Sequence, residues 1–183
     1  LCTAGVVWGV LLRAASRTVS LFAACTDLAN GPSSTAVFAA LCEGLPKTLK
    51  VLERRLNASL TGHLSRGMRR HCWEVAIDFH LTPYYGQPHK SRNELYYGKP
   101  RQGTKQFHAY ASACLVDHGE RYTLALSWVR RHESMVVVLR RLLARIRQLG
   151  LKIRCLLLDR AFFNVSVVEL LQQERLPFLM PVV

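Results

Sequence analysis

Glu74-Val75-Ala76-Ile77-Asp78-Phe79 and Lys152-Ile153-Arg154-Cys155-Leu156-Leu157-Leu158-Asp159 decide how this chain is read. Each is a short, apolar, β-prone run that ends at or next to an aspartate. A carboxylate at the end of an apolar strand is costly unless it reaches solvent, a partner or a metal. One such residue is an ordinary turn former. Two invite the question of whether the fold brings them together.

The segments between the two runs give the order of elements. Lys105 to Val116 and Arg121 to Trp128 read as strands joined by a hairpin turn at Asp117-His118-Gly119. Ser134 to Leu149 is an amphipathic helix with Met135, Leu139, Leu142, Leu143, Ile146 and Leu149 on one stripe, stopped by Gly150. Lys152 to Leu158 is a strand, Asn164 to Glu174 a helix, and Pro177 to Val183 begins a further strand. The order is β-β-β-α-β-α-β, an α/β domain over residues 73–183. Three strands in a meander and a right-handed helical crossover set the fourth strand parallel to another. If that neighbour is the first strand, Asp78 and Asp159 come side by side, near strand ends where open α/β sheets place their sites.

Residues 1–72 read as a helical region. Val7 to Ala24 has apolar residues at helical spacing, and Ser33 or Ser34 can cap a helix running to about Leu45 after the turn at Asn30-Gly31-Pro32. A third helix runs from Lys47 to Leu60. Two short helices about a Gly-containing turn suggest a helix-turn-helix, set against a plain bundle. Thr35 to Cys42, in the groove-reading position, offers no Arg, Lys, Asn or Gln to base edges.

The 183 residues carry 25 Lys and Arg against 12 Asp and Glu, a net charge of +13. The excess is spread over both halves and favours a polyanionic partner, nucleic acid first and an anionic membrane surface second. The six cysteines form no CxxC pair and read as free thiols in a reducing, cytoplasmic compartment. The Asn-x-Ser triplets at Asn57 and Asn164 are then chance matches. The longest apolar run, Val6 to Leu12, is far shorter than the ~20 residues a spanning helix needs, so no membrane role is expected. The chain starts without Met and stops within an apolar run, and is expected to be a fragment.

Paired carboxylates of this kind suit divalent ions. Mg²⁺ takes one or two carboxylates and completes its shell with water and phosphate oxygens. Two ions ~3.5–4 Å apart serve phosphodiester displacement. Thr82 to Thr104 reads as a long basic and aromatic connection. It holds Lys90, Arg92, Lys99 and Arg101, with Lys105 just after it, interleaved with Tyr84, Tyr85, Tyr96 and Tyr97. Cations there would neutralise phosphates while rings stack on exposed bases. Arg140, Arg141, Arg145 and Arg147 on the long helix read as an outer, solvated face.

The runs ending at Asp78 and Asp159, with Pro83-Tyr84-Tyr85-Gly86, Gly103-Thr104-Lys105, Tyr122 to Leu126 and Asp159-Arg160-Ala161-Phe162, resemble DDE-type insertion-sequence transposases of the IS-four-like group. The resemblance covers residues 70–183 closely and the N-terminal part loosely. It implies an RNase H-like fold, two Mg²⁺ or Mn²⁺ ions in the complete site, and cleavage and strand transfer at transposon ends. Asp78 and Asp159 are the implied metal-binding and catalytic aspartates. Arg160, Tyr84, Tyr85 and the loop cations are the implied DNA contacts, and a homodimer is the candidate assembly of the full-length protein. The third family acid, a Glu on a later helix, is expected after Val183. Glu169, among Val168, Leu170 and Leu171, reads as a surface residue. Two departures stand out: Ala161 where relatives have Gly, and His80 where many have Thr. The fragment by itself is expected to be catalytically inert. A junction resolvase of the same fold, or a non-catalytic DNA-binding remnant, is the rival reading.

Overall fold

The computed structural model describes residues 2–28, 31–62, 64–87 and 94–182. The chain divides into two compact units, Leu1–Thr48 and Leu49–Val183.

The first unit holds α1 (Ala4–Arg17), α2 (Leu21–Thr26) and α3 (Ser34–Gly44), packed around Val10, Ala14, Ala24, Cys25 and Val37. Thr3, Ser20 and Ser33 cap the three helices, each side-chain oxygen accepting an N–H of the first turn. The single helix expected over Val7 to Ala24 is two. Thr18 turns left-handed, with φ of 54°, and its N–H satisfies the last carbonyls of α1.

The second unit begins with α4 (Leu49–Thr61) and a 3-10 turn, Arg66–Arg70. Then come β1 (Cys72–Pro83), β2 (Tyr96–Arg101), β3 (Thr104–Asp117), β4 (Glu120–Val129), α5 (Met135–Gln148), β5 (Lys152–Leu158), α6 (Val165–Gln173) and β6 (Phe178–Leu179). The division thus falls before α4, not at the expected 72/73 boundary. The strands form one mixed sheet. β3 pairs antiparallel with β1 on one flank, and with β4 and the shorter β2 on the other. β1 pairs parallel with β5, and β5 with β6. The sheet runs β2-β3-β1-β5-β6, with β4 also paired to β3; the antiparallel β1, β3 and β4 and the parallel placement of β5 beside β1 are as expected, and β2 is not.

β2 lies inside the stretch expected to be an irregular connection. Gly98 and Pro100 break its strand pattern, and it is ordered by pairing Tyr96 with Phe107. The hairpins after β2 and β3 turn on Gln102-Gly103 and His118-Gly119, all four with positive φ. That conformation matches the twist of the flanking strands.

Alternation along the strands puts Val75 and Ile77 of β1 with Ala109, Ala111, Ala113 and Leu115 of β3 on one face. The three alanines leave room for α5, whose Leu139, Leu142, Leu143 and Ile146 are buried over them. Leu156, Leu158 and Phe162, with Val167, Leu170 and Leu171 of α6, complete this core.

β4 is an edge strand, and its outer flank is closed by side chains of α4. Asn57 Nδ2 donates to the Leu126 carbonyl at 2.8 Å, and the Leu126 N–H donates to Asn57 Oδ1 at 2.8 Å. One turn earlier, Glu53 accepts the Trp128 N–H at 2.7 Å. The i, i+4 spacing of the helix thus matches alternate residues of the strand and satisfies groups that would otherwise template another chain. Arg145 donates to the Asn57 carbonyl at 3.1 Å, and Arg141 to the Trp128 carbonyl at 2.7 Å. Those two arginines, read as a solvated face, are structural. Among the described residues no helix is long and apolar enough to cross a membrane.

Candidate functional site

The face of the sheet opposite α5 carries the polar alternates: Asp78, His80 and Thr82 of β1 stand beside Ser112, Tyr110 and His108 of β3. Asp159 joins them from β5. The parallel register runs from Val75 and Leu156 to Ile77 and Leu158, and the Asp159 N–H then donates to the Ile77 carbonyl at 3.0 Å. Asp159 keeps an extended backbone, so Asp78 and Asp159 occupy equivalent positions on neighbouring parallel strands and the same face.

The strand ends differ from expectation in one respect. β5 stops at Leu158, but β1 continues five residues past Asp78, held by β3 to Pro83. Asp78 therefore sits mid-strand beside the point where its parallel neighbour ends.

Among the described residues neither aspartate pairs with Lys or Arg. Asp78 Oδ1 accepts the Phe79 N–H at 2.9 Å, and its Oδ2 lies 3.4 Å from His80 Nε2. The Asp78 side chain is 55 % exposed. Asp159 makes no side-chain cap to the 3-10 turn Arg160–Phe162 that follows it. Two adjacent carboxylates without Lys or Arg partners form a hard oxygen donor set, which fits Mg²⁺ or Mn²⁺. No group of three or more His, Cys, Asp or Glu side chains is placed to hold a metal among the described residues, so no third protein donor completes the set. Glu169 is exposed on α6.

Of the expected DNA contacts, Lys90 and Arg92 lie outside the described residues. Lys99, Arg101 and Lys105 are exposed on the β2–β3 hairpin. Ser112 faces Asp78, and Thr104 is eight positions along β3, so the hairpin tip stands about 25 Å from the carboxylates. Tyr84 packs inward, edge-on to His108 at 5.0 Å, with its hydroxyl donating to the Gln87 carbonyl at 2.9 Å. Tyr96 meets Phe79 edge-on at 5.5 Å, and Arg131 lies 4.5 Å over Tyr97. Tyr85 is 69 % exposed although its hydroxyl donates to the Gln102 carbonyl. Of the four tyrosines it best keeps a ring surface for a ligand. Arg160 is exposed next to Asp159.

Sequence reasoning missed the company of the aspartates. His80 stacks on its cross-strand partner Tyr110 at 4.8 Å and reaches Ser112 Oγ at 3.0 Å. His108 sits between Tyr84 and Trp128, and burial lowers its pKa from the usual histidine value, partly offset by the Glu94 carboxylate. The period of two from Asp78 was the available signal for both His80 and Thr82. No protein-family model and no curated protein matches the chain.

Proposed function

We propose that this chain is the RNase H-like core of a DDE-type transposase, which binds double-stranded DNA and cleaves and joins it with divalent metal ions. The observation that carries the reading is the level pair Asp78 and Asp159 on adjacent parallel strands, without a Lys or Arg partner among the described residues. Antiparallel β4, β3 and β1, with β5 and β6 parallel to β1, support the RNase H-like fold.

In this reading Asp78 and Asp159 would be the residues that hold a divalent ion. Mg²⁺ or Mn²⁺ held there would supply Lewis acidity to phosphodiester cleavage. Arg160, beside Asp159, is placed for a non-bridging phosphate oxygen. Lys99, Arg101 and Lys105 hold the duplex about seven base pairs away, taking a rise of about 3.4 Å per step. Their task is to fix the register of the DNA, since alignment contributes heavily to rate. A third acid is required from outside the described residues, so these residues alone bind metal and DNA without efficient cleavage.

Fe²⁺ substitution with a peroxide source tests the reading without requiring turnover. Hydroxyl radicals formed at the site should cut the polypeptide near residues 78 and 159 and cut bound DNA opposite them. Excess Mg²⁺ and the variant Asp78→Asn should each suppress both. Scission elsewhere, or DNA bound without any scission, overturns the metal centre; the second result fits a DNA-binding remnant.

A further inference from the structure

A cleft of about 660 Å³ opens where the last turn of α4, the turn Arg66–Arg70 and the starts of β1 and β4 meet. Its size is that of an ordinary ligand cleft, roughly 300–1,000 Å³. Leu64, Met68, Trp73 and Tyr122 give it apolar and aromatic walls, and Asp117 and Arg121 also line it. Trp73 is fixed in place. Its Nε1 donates to the Met68 carbonyl at 2.7 Å, and its ring packs on the rim of the α5 core. Tyr122 is 48 % exposed and keeps ring surface for a ligand.

The turn beside the cleft is basic. Residues three apart eclipse in a 3-10 turn, so Ser65 and Met68 share the cleft side, Arg66 and Arg69 the next side, and Arg70 the third. Arg66, Arg69, Arg70 and Arg121 are exposed, and among the described residues none pairs with an acid. Nearby Glu74 is taken by Arg154 at 2.8 Å. An anion alone would need only the arginines, and an apolar ligand only the rings. A nucleotide uses both, its phosphates on guanidinium groups and its base on aromatic faces. A base that enters a cleft must first leave its pair, so the strand is single.

We propose that this cleft binds an unpaired nucleotide of single-stranded DNA, with the base against Trp73 and Tyr122 and the flanking phosphates on Arg66, Arg69, Arg70 and Arg121. Asp117 only accepts hydrogen bonds, which keeps the phosphates to the arginine side. The site goes beyond the function proposed above and does not use the aspartate pair. Trp73 lies five residues before Asp78, about 17 Å along β1, and packs on the α5 side of the sheet, whereas Asp78 faces the other side.

Photocrosslinking with a short single-stranded DNA that carries iodouracil locates the base directly. Coupling should map by peptide mass to Trp73 or Tyr122, and excess duplex of the same sequence should not displace it. Tyr122→Ala should weaken single-strand binding about tenfold. Arg66→Ala, Arg70→Ala and Arg121→Ala together should lower the slope of log affinity against log salt by about 2, near 0.7 per phosphate. Coupling confined to other residues, or an unchanged slope in the arginine variant, overturns the site. RNA coupled at Trp73 or Tyr122 where DNA is not overturns the choice of DNA. Neither readout involves a metal ion, so failure here leaves the reading of Asp78 and Asp159 standing.

Discussion

Asp159 stands level with Asp78 because its own N–H donates to the carbonyl of Ile77, the residue just before Asp78, at 3.0 Å. The bond extends the parallel ladder one step beyond the last strand residue of β5. Two carboxylates held this way repel each other, and among the described residues no Lys or Arg pairs with either, the nearest titratable partner being His80, 3.4 Å from Asp78. The pair is therefore a local cost in the metal-free protein.

Neutralising one member should stabilise that protein. Asp78→Asn or Asp159→Asn is expected to raise metal-free stability by up to about 1 kcal/mol at low ionic strength. The gain should fade in high salt, as screening already weakens the repulsion. Thermal unfolding at two salt concentrations measures both, and a variant less stable than the parent at low salt contradicts it.

The α4–β4 clamp makes Asn57 expensive to lose. Asn57→Ala leaves the N–H and carbonyl of Leu126 without their partners on an otherwise closed edge. A loss of about 2–4 kcal/mol is expected. The urea midpoint should fall with little change in slope, provided unfolding stays two-state.

His108 sets a pH dependence whose sign follows from its lowered pKa. The unfolded chain binds the proton more readily than the folded one, so stability is fully present above about pH 6.5 and falls as the pH drops below it. His108→Phe should flatten that limb of the stability profile. A protein whose stability rises between pH 6.5 and 5 on account of this residue would contradict the burial of a neutral ring.

DNA binding should follow the hairpin cations. Replacing Lys99, Arg101 and Lys105 with Ala is expected to reduce the slope of log affinity against log salt by about 2–3, near 0.9 per phosphate contact. An unchanged slope moves the DNA path away from β2–β3.

Much of the second unit was legible because its strands are apolar runs punctuated by turn formers: the Asp117-His118-Gly119 hairpin and the Gly150 stop fall where expected. β2 was hidden because Gly98 and Pro100 erase strand periodicity, and only pairing with β3 orders it. The break at Thr18 carries no Gly or Pro, so local chemistry gives no warning of it. Asn57 looked like a chance glycosylation triplet, whereas its role depends on β4, which is distant in sequence and close only in the fold. Asp78 and Asp159 were visible as residue types. Their equivalence rests on a register that no local pattern encodes.

Calorimetric titration of Mn²⁺ and Mg²⁺ into the metal-free protein, its Asp78→Asn variant and its Asp159→Asn variant tests the central claim most directly. The account predicts a divalent-ion site in the parent that either substitution abolishes or weakens at least about tenfold. Equal binding by parent and both variants would contradict it, and would return the two aspartates to ordinary residues of a sheet.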